Sequence, residues 1–334
     1  MRLLVALPAL NEAATIRSVI EGIPEHIPGV DQVSVLVVDD GSSDATRVEA
    51  EAAGALVISH DQRRGVGAAF QTALRHAIAS RADVLVTLDA DGQFNPADIP
   101  KLIEAVIAGR ADFATASRFK DPQLVPVMPP IKIWGNRQMS RLISRLTRRR
   151  FYDVSCGMRC YSRDAMLNLN LLGQFTYTQE VFLNLAFKGM RIVEVPIKVR
   201  GERQFGKSRV ASNVWSYAWR SSRIIFRAYR DYRPMAFFGS LALTLFVPAF
   251  LLGLFLAIHY AINGSFTPHK WAGFISGGLA ILGAITLVMG LAGDMLNRHR
   301  LYLEELLYQI RKRQTTEDDP ATETTEPQEM GELT

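Results

Sequence analysis

Cysteine is nearly absent from this 334-residue chain. It has two, Cys156 and Cys160. That excludes a disulfide framework, and the three-residue gap between them is not the usual zinc-knuckle spacing. They read as two reduced thiols. Glycine is missing where a dinucleotide oxidoreductase needs it. The first apolar run, Arg2 to Leu7, passes into Pro8-Ala9-Leu10-Asn11 with no glycine fingerprint. Arg64-Gly65-Val66-Gly67 lacks the full pattern and the P-loop lysine, so it reads as a turn into a helix. The first apolar run is also too short for a signal sequence and reads as a strand. Basic residues are missing from Thr315 to Thr334, which holds seven acidic ones and is rich in Thr, Glu and Pro. Such a segment buries too little to repay its ordering entropy, and residues 314–334 are expected to be disordered. Without those seven charges the formal net charge rises from +5 to +12. A basic remainder suits an anionic partner.

Long hydrophobic runs are present, and there are two. Residues 236–260 and 271–293 each exceed the ~20 residues that cross a bilayer as a helix. Core helices of soluble proteins usually carry a polar stripe, whereas these carry only scattered Ser and Thr. With a short turn between them they form a hairpin over 234–296. Arg220, Arg223, Arg227, Arg230 and Arg233 precede it, Arg298, Arg300, Arg311, Lys312 and Arg313 follow it, and the turn offers only Lys270. This bias places both termini in the cytoplasm, with 297–313 a basic cytoplasmic helix. In 209–233 the arginines recur at helical spacing, with Trp215, Tyr217, Trp219, Phe226 and Tyr229 between them. That pattern predicts an amphipathic helix in the headgroup layer. Nucleic acid would use the same residue types, but the hairpin argues against it.

Residues 1–208 alternate apolar strands with helices. Strands are predicted at Arg2–Leu7, Val33–Val38, Ala55–Ser59, Asp83–Leu88 and Asp112–Ser117. Helices are predicted at Glu12–Ile23, Ser43–Ala53, Gly65–Ser80 and Pro96–Ala108. This is the pattern of an α/β domain with a mostly parallel sheet covered on both faces, whose ligands bind beyond the carboxyl ends of the strands. The unusual residues follow strands: Pro8 to Glu12, Asp39-Asp40-Gly41-Ser42-Ser43-Asp44, Asp89-Ala90-Asp91-Gly92-Gln93, and Arg118. Asp89 and Asp91 put two carboxylates on one tight turn, which suits a hard divalent ion bridging phosphates, and Gln93 can add an amide oxygen.

Pro8-x-x-Asn11-Glu12, Val37-Val38-Asp39-Asp40-Gly41-Ser42-Ser43-Asp44 and Asp89-Ala90-Asp91-Gly92-Gln93 resemble family 2 glycosyltransferases of the Rossmann-like GT-A fold. More narrowly, the chain resembles dolichyl-phosphate mannose synthases and bacterial polyprenyl-phosphate glucosyltransferases. The narrower match rests on Ser117-Arg118-Phe119, Asn136-Arg137 with Ser140, Asp153-Val154-Ser155-x-Gly157, and Arg203-x-x-Gly206-Lys207-Ser208-Arg209. The resemblance implies that Pro8, Ala9, Glu12, Asp39 and Asp40 contact the nucleotide. It implies that Asp89, Asp91 and Gln93 hold Mg²⁺ or Mn²⁺. Arg118, Arg137, Ser140 and Arg203 would hold the lipid phosphate, with Asp153 near the reacting groups. The last motif ends in Arg209 where the family commonly has lysine, which bears on which sugar is used.

The expected reaction moves a sugar from a UDP- or GDP-linked donor to a polyprenyl phosphate, by single displacement with inversion. The acceptor phosphate is already anionic and needs positioning rather than a strong base. A processive polysaccharide synthase would be expected to carry Gln-x-x-Arg-Trp and more spans, and no such pentapeptide is present. Another lipid or glycan acceptor remains as the alternative. A catalytically silent scaffold fits poorly with intact Asp89, Asp91 and Arg203. Relatives suggest a homo-oligomer, and small residues around Gly273, Gly277 and Gly278 permit helix contacts.

Overall fold

The structure is a computed structural model, and it describes residues 1–171, 177–201, 222–223, 226–227 and 229–317. Arg203 and its motif, residues 209–221 of the predicted interfacial helix, and residues 318–334 lie outside the described residues. The chain divides into two compact units, Met1–Ser221 with Leu306–Thr334, and Ser222–Glu305.

The first unit is built on a seven-stranded sheet of order β3-β2-β1-β4-β6-β5-β7. Its strands are β1 (Arg2–Ala9), β2 (Gln32–Asp39), β3 (Leu56–Ser59), β4 (Val84–Thr87), β5 (Phe113–Ser117), β6 (Arg159–Ser162) and β7 (Ile192–Pro196). The helices are α1 (Ile16–Glu21), α2 (Thr46–Ala52), α3 (Val66–Ala79), α4 (Ile99–Ile107), α5 (Pro130–Thr147), α6 (Arg163–Asn168) and α7 (Thr178–Phe187). All five predicted strands form. Strands β6 and β7 lie beyond the five predicted.

Strand β1 lies inside the sheet between β2 and β4, and Leu3 through Leu7 are buried. Its alternate residues Leu3, Val5, Leu7 and Ala9 join a cluster with Ile16, Val19 and Ile20 of α1 and Ile99, Leu102 and Ile103 of α4. Side chains alternate across a strand, so Leu4 and Ala6 serve the opposite face. A second apolar group joins Phe70 of α3, Tyr161 of β6, Phe113 of β5 and Phe182 of α7 through ring contacts of 5.0–5.5 Å. Burial of both faces explains why the strands read as unbroken apolar runs.

One departure from parallel pairing positions the site. Strand β6 runs antiparallel between β4 and β5, pairing Thr87 with Arg159 and Thr115 with Arg159. A reversed strand begins where its parallel neighbours end. The loop Asp153–Met158 therefore arrives at the same edge as the carboxyl ends of β4 and β5. Strand β7, parallel to β5, brings Ile197–Gly201 there as well.

The second unit contains α8 (Pro234–Asn263) and most of α9 (Lys270–Glu317). Both helices are long and apolar enough to cross a membrane, and their length and exposed apolar surface suggest membrane association. The predicted basic helix of 297–313 is continuous with the second span. No Gly or Pro interrupts Asn297 to Gln314, and Leu, Glu and Arg there are strong helix formers. Within this unit the helices meet along small residues of α9. A Cβ added at Gly273 would stand 2.9 Å from Leu256, at Gly283 2.9 Å from Phe246, and at Gly293 2.8 Å from Pro234. Ser276 Oγ donates to the Ala249 carbonyl at 2.7 Å. At Gly277 and Gly278 a Cβ would meet nothing within 4 Å.

Candidate active site

The loops after β1 and β2 lock each other. Asn11 adopts a left-handed conformation, φ 49°, which asparagine tolerates better than most residues. Its N–H donates to Ser42 Oγ at 2.8 Å, and its Oδ1 accepts from the Ser43 N–H at 2.7 Å. The Glu12 N–H donates to Thr46 Oγ1 at 2.8 Å. Asn11 is thus a brace between the two loops.

Asp39 and Asp40 are both buried. Asp39 Oδ1 accepts from the Ser42 N–H at 3.0 Å. Asp40 gathers more: the backbone N–H groups of Arg64 and Gly65, each at 2.8 Å, and His60 Nδ1 at 2.9 Å. His60 Nε2 in turn lies 3.0 Å from Thr72 Oγ1. Gly41, at φ 76°, permits this fold-back, because a Cβ there would come within 3.0 Å of the Gln62–Arg63 backbone. Sequence reasoning missed His60; its position just past β3 was the available signal.

Beyond β4, Thr15 Oγ1 donates to the Ala90 carbonyl at 2.7 Å, and Asp91 Oδ1 accepts from the Gln93 N–H at 3.0 Å. Asp91 is buried at 3% exposure. Asp89 rests against Gly157, where a Cβ would stand 2.2 Å from Asp89 Oδ2. Thr87 Oγ1 holds that same glycine by donating to its carbonyl at 3.0 Å. Gln93 faces elsewhere: its Nε2 donates to the Arg200 carbonyl at 3.1 Å and its carbonyl accepts from the Arg200 N–H at 3.0 Å. Its amide therefore laces the acidic turn to the segment after β7. Among the described residues no group of three or more His, Cys, Asp or Glu converges on one point. Asp89 and Asp91 are a pair of hard anionic oxygen donors. That donor set fits a hard divalent ion such as Mg²⁺ or Mn²⁺, which these two carboxylates would hold.

Arg118 is held by a fork. Its Nε donates to Asp153 Oδ2 at 2.7 Å, its Nη2 to Asp153 Oδ1 at 2.9 Å and to Ser155 Oγ at 3.1 Å. Ser155 Oγ donates onward to Asn136 Oδ1 at 2.7 Å. Asp153 is fully buried. Burial acts to raise its carboxyl, but the Arg118 charge and its hydrogen bonds outweigh that and hold it below the usual range. Burial likewise opposes the Arg118 charge, and Asp153 reverses the balance, so the guanidinium stays charged, with Asp89 adding to the effect. Ser140, on α5, is buried. Its hydroxyl donates to the Tyr152 carbonyl at 3.0 Å and accepts from the Val154 N–H at 3.4 Å. Arg137 lies on the exposed side of the same helix, near Ile131 and Trp134, which are 56% and 61% exposed.

A buried arginine backs this loop. Arg159 donates to the carbonyls of Val154, Cys156 and Thr178 at 2.8–3.1 Å, with the Phe113, Tyr177 and Phe182 rings around its guanidinium. Cys156 and Cys160 are free and buried; burial pushes the Cys156 thiol up to about 12, so neither is a nucleophile.

Pro8, Ala9, Glu12, Asp39, Asp40, Asp89, Asp91, Gln93, Arg118 and Asp153 all fall on loops or strand ends at one edge of the sheet, and Ser140 reaches them through the 152–154 loop.

A profile described as "Glycosyl transferase family 2" matches residues 4–169. The chain is 32% identical to the UDP-N-acetylglucosamine–dolichyl-phosphate N-acetylglucosaminyltransferase of Methanococcus voltae, over 58% of this chain and 83% of that one. It is 30% identical to the undecaprenyl-phosphate mannosyltransferase of Micrococcus luteus, over 64% of this chain and 89% of that one. Among solved structures it is similar to glucosyl-3-phosphoglycerate synthase of Mycobacterium tuberculosis, solved with Mn²⁺, UDP and phosphoglyceric acid. The TM-score is 0.54 and the identity 23%, over 68% of this chain and 78% of that one. That likeness identifies the sheet domain as a GT-A fold.

Proposed function

Because the chain belongs to glycosyl transferase family 2, we propose that it transfers a sugar from a nucleotide sugar to a polyprenyl phosphate at the cytoplasmic face of a membrane. One observation carries the reading. A single loop, Asp153–Gly157, fixes the cation Arg118 at one end and backs the carboxylate Asp89 at the other. A site for two phosphates needs such an arrangement, with a metal-binding carboxylate pair for one and a fixed guanidinium for the other.

On this reading Pro8, Ala9, Glu12, Asp39 and Asp40 form the nucleotide side. Asp40 contributes by shaping the Arg64–Gly65 backbone as well as by its own charge. Asp89 and Asp91, with Gln93 if its amide turns inward, would hold Mg²⁺ or Mn²⁺, which when bound offsets the charge that builds on the leaving diphosphate. Arg118 is oriented by Asp153 and Ser155, and Arg137, next in sequence to the Asn136 that accepts from Ser155, adds an exposed cation. Ser140 acts through the backbone it holds, and Arg203 is expected to complete the acceptor side. Arginine suits the task, since its planar fork binds phosphate bidentately without losing its charge. The acceptor phosphate brings its own negative oxygen to the anomeric carbon. The chain's work is then to hold two anions close and aligned, and inversion by single displacement follows.

The membrane side of the reading rests on the two apolar helices, and on the exposed Val127, Ile131 and Trp134 beside Lys132 and Arg137 on and before α5. The arginine bias around the hairpin supports a catalytic unit and both termini in the cytoplasm. The test is a transfer assay on the full chain in detergent. Polyprenyl phosphate and a panel of labelled UDP- and GDP-sugars are supplied, with Mg²⁺ or Mn²⁺ or with chelator. We expect label to enter the lipid fraction with one donor and to be lost with chelator and in Asp91→Asn. Nucleotide binding without transfer from any donor would sink the polyprenyl acceptor and favour another lipid or a glycan.

A further inference from the structure

Glu194 lies at the centre of β7, opposite Thr115 of β5, and is 6% exposed. No motif drew attention to it. Its carboxylate nonetheless collects donors from two other segments. Oε1 accepts from the Asp153 N–H at 2.7 Å and from Ser117 Oγ at 3.1 Å, and Oε2 accepts from the Tyr152 N–H at 2.9 Å. These three neighbours are all donors. An amide in this place would turn an N–H toward them, whereas a carboxylate satisfies them all.

The arrangement is costly as packing alone. Asp153, a fully buried carboxylate, follows the backbone that Glu194 holds, and the guanidinium of Arg118 pairs with Asp153. Burial raises the Glu194 carboxyl above its usual value, against the pull of the three donors. An apolar side chain of similar volume would fill a strand centre without that penalty. What the carboxylate adds is direction. It fixes the backbone at Tyr152–Asp153 and thereby the Asp153 carboxylate, which accepts the Arg118 N–H at 3.1 Å as well as its side-chain fork. Ser117 immediately precedes Arg118, so the same group holds the arginine's backbone from the other side.

We propose that Glu194 is a positioning residue for acceptor binding, acting through Asp153 and Ser117 to fix the Arg118 guanidinium. The proposal rests on the reading that Arg118 binds the acceptor phosphate. Glu194 holds only the Tyr152–Asp153 end of the loop, whereas Asp89 is backed by its other end at Gly157, and Asp39 and Asp40 follow another strand.

The experiment uses the full chain in detergent, with undecaprenyl phosphate as the varied acceptor and nucleotide binding measured separately by titration in Mn²⁺. Glu194→Gln is expected to raise the acceptor KM about tenfold or more, as a small misalignment of a binding group does. Nucleotide affinity is expected to stay at the wild-type value. The double variant Glu194→Gln with Asp153→Asn is expected to transfer no worse than Asp153→Asn alone, because both act on one guanidinium. Equal losses on the acceptor and nucleotide sides would show a merely structural role and overturn the proposal, as would additive losses in the double variant. Should Glu194→Gln not fold, Ser117→Ala removes one of the same donors and is read identically. An active wild type with an unchanged acceptor KM in folded variants refutes this inference alone. A wild type inactive on polyprenyl phosphate refutes the function it rests on as well.

Discussion

Gly157 has no side chain in a place that Asp89 fills. A Cβ there would lie 2.2 Å from Asp89 Oδ2, closer than any real contact. Gly157→Ala is therefore expected to displace that carboxylate while leaving the sheet intact. Metal-dependent nucleotide affinity should fall roughly tenfold to a hundredfold, the range seen when groups supporting metal ligands are lost. Titration with and without Mn²⁺ checks this, and unchanged affinity in Mn²⁺ would refute it. Asp153 makes a second prediction, in pH. Its carboxyl lies below the usual value near 3.8, so its pairing with Arg118 supports the fold fully above that value and is lost as pH falls through the depressed one. Asp153→Asn should cost about 3 kcal/mol at pH 7, because it leaves a mostly buried arginine unpaired. The gap between the two proteins should close in strong acid. Denaturation at a series of pH values decides it, and a pH-independent gap would count against the pairing.

At the scale of elements, the two long helices show where small residues are used. Gly273, Ser276, Gly283, Gly290 and Gly293 follow one another at steps of 3, 7, 7 and 3 along α9. That recurrence, close to 3.5, keeps one seam facing a partner helix. Gly283→Leu inserts a side chain where Phe246 already stands and should destabilise the hairpin by about 1–3 kcal/mol. Gly277→Leu, where a Cβ meets nothing within 4 Å, should leave the thermal midpoint of the detergent-solubilised protein unchanged. If both variants melt alike, the seam is wrong. Of the small residues expected to permit helix contacts, Gly273 makes one, with Leu256 inside the hairpin, whereas a Cβ at Gly277 or Gly278 meets nothing within 4 Å.

At the scale of the catalytic unit as a whole, its N- and C-terminal parts are tied by two residues near the end of α9. Arg311 Nη1 donates to the carbonyls of Leu167 and Leu169 at 2.9 and 3.1 Å, and Tyr308 OH donates to Asp164 Oδ1 at 3.0 Å. A cation on the last carbonyls of α6 satisfies groups that a helix end leaves open. Arg311→Ala is expected to speed amide hydrogen exchange over residues 306–317 and over the end of α6, with nucleotide affinity unchanged. Protection equal to wild type would show that the contact holds nothing. The acidic tail just beyond this anchor dominates the chain's charge balance, lowering +12 to +5.

What the sequence by itself determined is what local chemistry encodes. Unbroken apolar runs such as Leu3–Leu7 and Val35–Val38 gave five strands, because a sheet covered on both faces accepts no polar alternation. The acidic and arginine motifs that follow them were placed at one edge, because parallel strands end together. Two apolar stretches were readable as long helices from length alone. Only the tertiary structure decided who holds whom. Arg118 and Asp153 are 35 residues apart, Ser117 and Glu194 are 77 apart, and Gly157 meets Asp89 across a strand that runs backwards. No period or spacing records such partners. The contacts of Asp153 and Gly157 follow from the insertion of β6 between β4 and β5, and that of Glu194 with Ser117 from the pairing of β5 with β7. Asn11 owes its partners to the pairing of β1 with β2.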